Sequence, residues 1–295
     1  MTKKRVKIVE SFREDFVVKS FLDEKLTKVR NPAIFREYDS SGNLITEITY
    51  GHGGDLSEKY SYRWIDGKLA EKTTYFTEDE VAESDIYHYS AGKIDHVVKA
   101  YSEGFEEIIR YSYDDQGRLI SKITDEDGER EVISYDGNSK KIELFDEDDE
   151  LIEIVHQTYN GEGHLISELV ENPKEGQISR QEYEYQQGRL TKQIEKGRNG
   201  QILKETQTQY DPDGNPIEIR TKEGENITVL KMEFDTQGNE ITQIEIFNEY
   251  LSHQVKRSYD EWGNVLETHV EAFGDDGTQT MMYSIYYEYQ FFEEN

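Results

Sequence analysis

Tyr111-Ser112-Tyr113-Asp114-Asp115-Gln116-Gly117-Arg118-Leu119-Ile120-Ser121-Lys122-Ile123-Thr124 reads as a strand, a turn and a second strand. Upstream of the glycine, Phe105, Glu107, Ile109, Tyr111 and Tyr113 alternate with Glu106, Ile108, Arg110 and Ser112. That period of two belongs to a strand, whose successive side chains point to opposite faces. Downstream, Leu119 and Ile123 alternate with Lys122 and Thr124. Asp114 opens the turn because its carboxylate accepts hydrogen bonds from amides ahead of it, and Gly117 closes it because a positive φ costs glycine no Cβ clash. The segment is a β-hairpin.

The same unit recurs through the chain. Its glycines are Gly42, Gly67, Gly92, Gly117, Gly163, Gly188, Gly214, Gly238 and Gly263, spaced 25, 25, 25, 46, 25, 26, 24 and 25 residues apart. The aromatic residues Tyr38, Trp64, Tyr89, Tyr113, Tyr159, Tyr185, Tyr210, Phe234 and Tyr259 stand three or four positions before them. A fixed period of this kind marks a repeat protein. Within the interval of 46, Tyr135-Asp136-Gly137-Asn138 reads as a degenerate copy, with Asn138 expected in the left-handed position.

Return turns lie between the glycine turns, at Gly51 to Gly54, Asp125 to Gly128, Asp146 to Asp149, Asn172 to Gly176, Gly197 to Gly200 and Asp275 to Gly277. Two strands and two turns fill a period of 25. A propeller blade needs roughly 40 residues, and a leucine-rich repeat needs a helical half with a 3.6 period. The expected fold is therefore all-β: a coiled antiparallel meander, a solenoid-like curved sheet of about twenty strands from about ten hairpins. Paired tyrosines two apart, Tyr60/Tyr62, Tyr87/Tyr89, Tyr111/Tyr113, Tyr183/Tyr185 and Tyr287/Tyr289, share a face and form a ladder that packs the coil.

The repeat is expected over residues 34–295, preceded by a cap over residues 1–33 that reads as strands, with a helix as the alternative. The final stretch, Met281 to Phe292, is strongly aromatic and is expected as an edge strand, either covered or used for association.

Sixty-three acidic residues against 34 basic ones give a formal charge of −29. Such a chain repels nucleic acid and anionic membranes and favours a basic protein partner. The plainer reading is that the charge keeps a large sheet soluble. With no cysteine, a disulfide framework and thiolate chemistry are both excluded. Glu10, Arg13, Glu14 and Asp15 interrupt any apolar export segment, and no apolar run approaches the about 20 residues of a membrane helix. A cytoplasmic location is the expectation from these features.

The hallmark Tyr-Asp-x-x-Gly-x-Leu, in Tyr38 to Leu44 and Tyr113 to Leu119, resembles the YD repeat of Rhs-type proteins. Variants begin at Tyr210, Phe234 and Tyr259. The resemblance implies a spiralling β-sheet and a place in bacterial competition, surface attachment or carbohydrate recognition. The sequence departs from the pattern in that its repeat runs to residue 295, and the expectation is a member without a toxin domain. A short, acidic relative that binds something with its curved sheet is the expectation.

No catalytic constellation stands out. His52, His88, His96, His156, His164, His253 and His269 lack metal-ligand spacing, and carboxylates are too abundant for one pair to be singled out. Asp211-Pro212-Asp213-Gly214-Asn215 opens like a calcium loop, yet Lys222 stands where a bidentate Glu is required. Asn226-Ile227-Thr228 matches a glycosylation acceptor, which has meaning only in an exported chain. No enzyme, cofactor or metal is expected.

The leading expectation is a non-enzymatic protein-binding repeat, most concretely an immunity protein that neutralises a basic toxin. Its candidate contacts are the acidic return turns: Asp125, Glu126, Asp127, Asp146, Glu147, Asp148, Asp149, Asp275 and Asp276. The alternatives are a carbohydrate-binding surface protein stacking sugars on tyrosines, Trp64 or Trp262, and a passive scaffold.

Overall fold

The computed structural model describes residues 4–18, 26–125 and 128–293. The strands in chain order are β1 Val6–Val18, β2 Leu26–Tyr38, β3 Leu44–Tyr50, β4 Leu56–Ile65, β5 Lys68–Tyr75, β6 Val81–Ser90, β7 Lys93–Tyr101 and β8 Glu106–Tyr113. Next come β9 Leu119–Thr124, β10 Arg130–Asp136, β11 Ser139–Phe145, β12 Leu151–Tyr159, β13 Leu165–Asn172, β14 Gln177–Gln186 and β15 Arg189–Lys196. The last are β16 Ile202–Tyr210, β17 Pro216–Glu223, β18 Asn226–Phe234, β19 Glu240–Phe247, β20 Tyr250–Tyr259, β21 Val265–Phe273 and β22 Gln279–Phe291. All 22 belong to one sheet.

By contacts, the chain divides into a unit of Met1–Ser84, Pro212–Ile217 and Val229–Asn295 and a unit of Asp85–Asp211 and Glu218–Thr228. In the second unit, β7 through β16 pair in succession, each antiparallel to the last. In the first, β19 to β22 pair in the same way, as do β1 to β5.

The two runs of the first unit meet in a pairing that the periodicity does not announce. β1 lies antiparallel to β22, from Val6 opposite Phe291 to Asp15 opposite Tyr283. The sheet therefore closes through its first and last strands, in a β-barrel topology. This corrects the expectation of a solenoid-like coil, and the final strand, expected as an edge either covered or used for association, is covered by β1. The physical reason is the liability of an unpaired apolar edge: β22 carries five tyrosines and phenylalanines between Tyr283 and Phe291, and pairing with β1 satisfies its backbone.

Side chains reinforce this seam. Arg13 Nε donates to both Asp15 carboxylate oxygens at 2.9 and 3.0 Å. Its guanidinium lies 3.6 Å from the Tyr283 ring centroid, a cation–π contact worth about 1 kcal/mol when partly desolvated. Tyr289 faces Val9 across the seam, and burial pushes its phenol up to about 12. Trp262, on the β20–β21 turn, packs edge-on against Phe291, with the Lys4 ammonium over its indole.

The turns follow two sequence patterns. Where the aromatic stands four residues before the glycine, Asp or Asn caps the turn. Asp114 Oδ1 accepts from the amides of Gln116 and Arg118, and Asp39, Asn160, Asp235 and Asp260 do the same for their own turns. Where the aromatic stands three before, the loop has two residues, both at positive φ: Asp66-Gly67, Ala91-Gly92 and Gln187-Gly188. Those are the primed turns whose twist suits a hairpin. At the degenerate copy, the left-handed residue is Gly137, at φ +55, and not Asn138, because glycine takes that conformation without a Cβ clash.

A bulge precedes the turn at many of the signature aromatics, including Tyr38, Trp64, Tyr113, Tyr159, Tyr185 and Tyr259. Bulges re-aim the side chain. The ring then reaches the neighbouring strand, where it donates to a main-chain carbonyl: Trp64 Nε1 to Leu44 at 2.8 Å, Tyr185 to Leu165 at 2.9 Å and Tyr210 to Leu190 at 2.8 Å.

Within the second unit one face carries an apolar belt. Val97 faces Ile109, which faces Thr124, and Ile133, Ile142, Val155 and Val170 continue on that face across β10 to β13. Val97 and Ile133 on this belt are buried. A polar row runs alongside it through Lys140, Gln157, Glu168, Gln181 and Glu195. The opposite face carries Arg180, Glu182 and Glu184 on β14 and Lys192 and Lys196 on β15.

The closed topology gives the cytoplasmic expectation no support of its own, since closed antiparallel sheets are the form of outer-membrane barrels as well as of water-soluble ones.

Candidate partner-binding rim

Antiparallel succession sends every return turn of the second unit to the same end of its strands. Neighbouring return turns therefore touch. A Cβ on Gly128 would lie 3.6 Å from the Glu147 carbonyl oxygen, which sets the β9–β10 turn against the β11–β12 turn. Lys174, on the β13–β14 turn, donates to Asp146 at 2.7 Å and pairs with Glu150 at 2.6 Å. Arg198, on the β15–β16 turn, has a guanidinium nitrogen 3.7 Å from the place a Gly176 Cβ would take. The rim is acidic from Asp125 to Glu150 and becomes basic at Lys174 and Arg198.

The sequence-expected contacts fall into three groups. Glu126 and Asp127 lie outside the described residues. Four others are engaged within the fold. Asp125 accepts from Arg110 Nε at 3.0 Å on Oδ1 and 2.9 Å on Oδ2, and Arg110 Nη2 lies 2.9 Å from Oδ2. Asp146 caps its turn through the amides of Asp148 and Glu150, and the Lys174 ammonium holds its carboxyl below the usual range, with the Glu150 amide adding to the effect. Asp149 stands at φ +64, where the other capped turns have glycine, and pairs with Arg130 at 2.6 Å. Asp276 accepts from the Thr278 hydroxyl and amide.

The third group is Glu147, Asp148 and Asp275. All three are exposed, and none has an ion pair among the described residues. Glu147 and Asp148 project from the tip of a turn whose backbone is fixed by Asp146. Their charge is therefore presented on a rigid support. Asp275 belongs to the first unit.

Sequence reasoning missed Lys174 and Arg198. A signal for them existed: Asp149, Lys174 and Arg198 are spaced 25 and 24 residues apart, so one period separates neighbours on the rim. The two tryptophans are engaged structurally. Trp64 takes the tyrosine position of its turn, and Trp262 covers the seam. Among the described residues, no group of three or more His, Asp or Glu side chains converges as a metal site would require.

No protein-family model matches the chain, and no curated protein matches it. Among solved structures, it is similar to the crystal structure of TcdB2-TccC3-TEV, at 14% identity and a TM-score of 0.38, covering 85% of this chain and 16% of that one. It is also similar to TcdB2-TccC3-Cdc42, at 12% identity and a TM-score of 0.37, covering 86% and 19%. A porin-like protein from Bacteroides uniformis matches at 10% identity and a TM-score of 0.38, covering 98% and 99%. The chain thus spans less than a fifth of the TcdB2-TccC3 chains.

Proposed function

We propose that this chain is a non-enzymatic YD-type repeat protein that binds a basic protein partner on its acidic rim. The observation that carries the reading is the pair Glu147 and Asp148, exposed and without counter-ions among the described residues, on a turn braced by Asp146 and Lys174. A net charge of −29 steers a basic partner toward that rim, and the turn itself needs no reordering on contact. The most concrete form is an immunity protein that occludes a basic toxin.

The strands carry charge on both faces, as with Lys140 and Glu168 on one and Arg180 and Glu184 on the other. A lipid-spanning barrel presents an uninterrupted apolar band instead. The strand faces therefore suit a protein that works in water rather than within a bilayer. With Trp64 and Trp262 tied into turn and seam, sugar stacking on either indole is the weaker reading.

The test is capture from an envelope extract of the source cells with immobilised wild-type chain and with a Glu147→Gln/Asp148→Asn variant. The expected result is one stoichiometric basic protein, eluted by salt and retained poorly by the variant. Retention that ignores salt, or that the variant leaves intact, overturns the acidic-rim reading.

A further inference from the structure

In a chain with almost two carboxylates for every cation, guanidinium groups generally find an acidic partner. Arg13, Arg36, Arg63, Arg110, Arg118, Arg130 and Arg257 all do. Arg180 and Arg198 do not: both are exposed, and neither has an ion pair, hydrogen bond or ring contact among the described residues. These two line one depression of the second unit.

The depression has a volume of about 260 Å³ and is open to solvent. Leu169 and Ile178 supply its apolar surface, Arg180, Lys196 and Arg198 its cations, Glu171 a single carboxylate, and Gly197 and Gly200 its backbone wall. Arg180 stands directly opposite Leu169 on β13 and Lys196 on β15. Two like charges facing each other across a strand pair are unfavourable. Lys196 is relieved by Glu182 at 2.6 Å, while Arg180 is left uncompensated. Arg198 comes from the next return turn, where one guanidinium nitrogen lies 3.7 Å from the place a Gly176 Cβ would take.

We propose that this depression binds an oxyanion, a carboxylate or a phosphate, carried by a small ligand with a short apolar body. The forks of Arg180 and Arg198 match the two oxygens of such a group, which an ammonium would meet only as a point charge. Leu169 and Ile178 take the apolar part. Glu171 and the −29 field of the chain repel additional negative charge, so the ligand carries one anionic group. The site differs from the acidic rim in sign, and it stands whether or not the rim takes a basic partner.

The experiment is calorimetric titration of the full chain with acetate, hexanoate and inorganic phosphate. It is repeated on Arg180→Gln, Arg198→Gln and the control Arg63→Gln, whose guanidinium belongs to an ion pair with Glu71. Each substituted side chain is exposed, so the fold is retained. The expected result is saturable binding that weakens at least about tenfold in the Arg180 and Arg198 variants and is unchanged in the control. Hexanoate bound about tenfold more tightly than acetate assigns the carboxylate and shows the apolar surface in use. Saturation by phosphate alone assigns the phosphoryl group. Absence of saturation with all three probes overturns the proposal, as does binding that the Arg180 and Arg198 variants leave unchanged.

Discussion

The Tyr113 hydroxyl donates to the Ile94 carbonyl oxygen at 3.0 Å. Ile94 stands just after the preceding glycine turn, so this bond ties one repeat turn to the next. The relationship recurs from Tyr135 to Leu119, from Tyr259 to Glu240 and from Tyr289 to Val265. The aromatic of the repeat signature is therefore a tether between neighbouring turns as well as a packing residue.

Tyr113→Phe keeps the ring and removes only the donor. Ile94 is left with a partly buried acceptor, and the expected loss is about 1 kcal/mol, read as a lower urea midpoint with an unchanged slope. An unchanged midpoint would show that water replaces the hydroxyl without cost and that the tether is incidental.

The β19–β20 turn has Asn248 at φ +47 and Glu249 at φ +74, with no glycine. A side chain in the left-handed region clashes with its own backbone. Glu249→Gly should raise stability by about 1 kcal/mol, net of the entropy that glycine adds to the unfolded chain. Asp149→Gly relieves the same strain at φ +64 but gives up the Arg130 ion pair, so its gain should be smaller. Equal gains, or none at Glu249, would contradict the strain argument.

The capping carboxylates make the turns sensitive to acid. Asp39 is held below its usual pKa by the Asn43 side chain and amide, Asp114 by the Arg118 amide and guanidinium, and Asp235 by Asn239. A carboxyl with a depressed folded-state pKa contributes stability that is present above its unfolded value, near 4, and lost as pH falls through the folded value. Asn160 performs the same capping without a charge, so Asp114→Asn should preserve the turn. Unfolding midpoints measured from pH 7 down to pH 2 should fall less steeply for that variant than for the wild type. Parallel acid limbs would remove Asp114 from the explanation.

The strands and turns were legible because each is decided locally. The interval between aromatic and glycine even separates the capped turns, as at Tyr113 and Gly117, from the two-residue turns, as at Tyr185 and Gln187-Gly188. Closure was not legible, because it depends on β1 and β22 at opposite ends of the chain. An open coil and a closed sheet share the same alternation of side chains. The rim was legible in part: its acidic turns were visible, but the Lys174 bridge to Asp146 spans 28 residues and arises only when successive return turns stack.

Closure of the sheet is the central claim, and the absence of cysteine makes it directly testable. Glu10 on β1 lies opposite Glu288 on β22. A Glu10→Cys/Glu288→Cys variant, oxidised under native conditions and run on a non-reducing gel, should give one fast-migrating monomer cross-linked within the chain. Reduced monomer alone, or disulfide-linked dimers in place of the internal bridge, would contradict the closed sheet and restore the open coil.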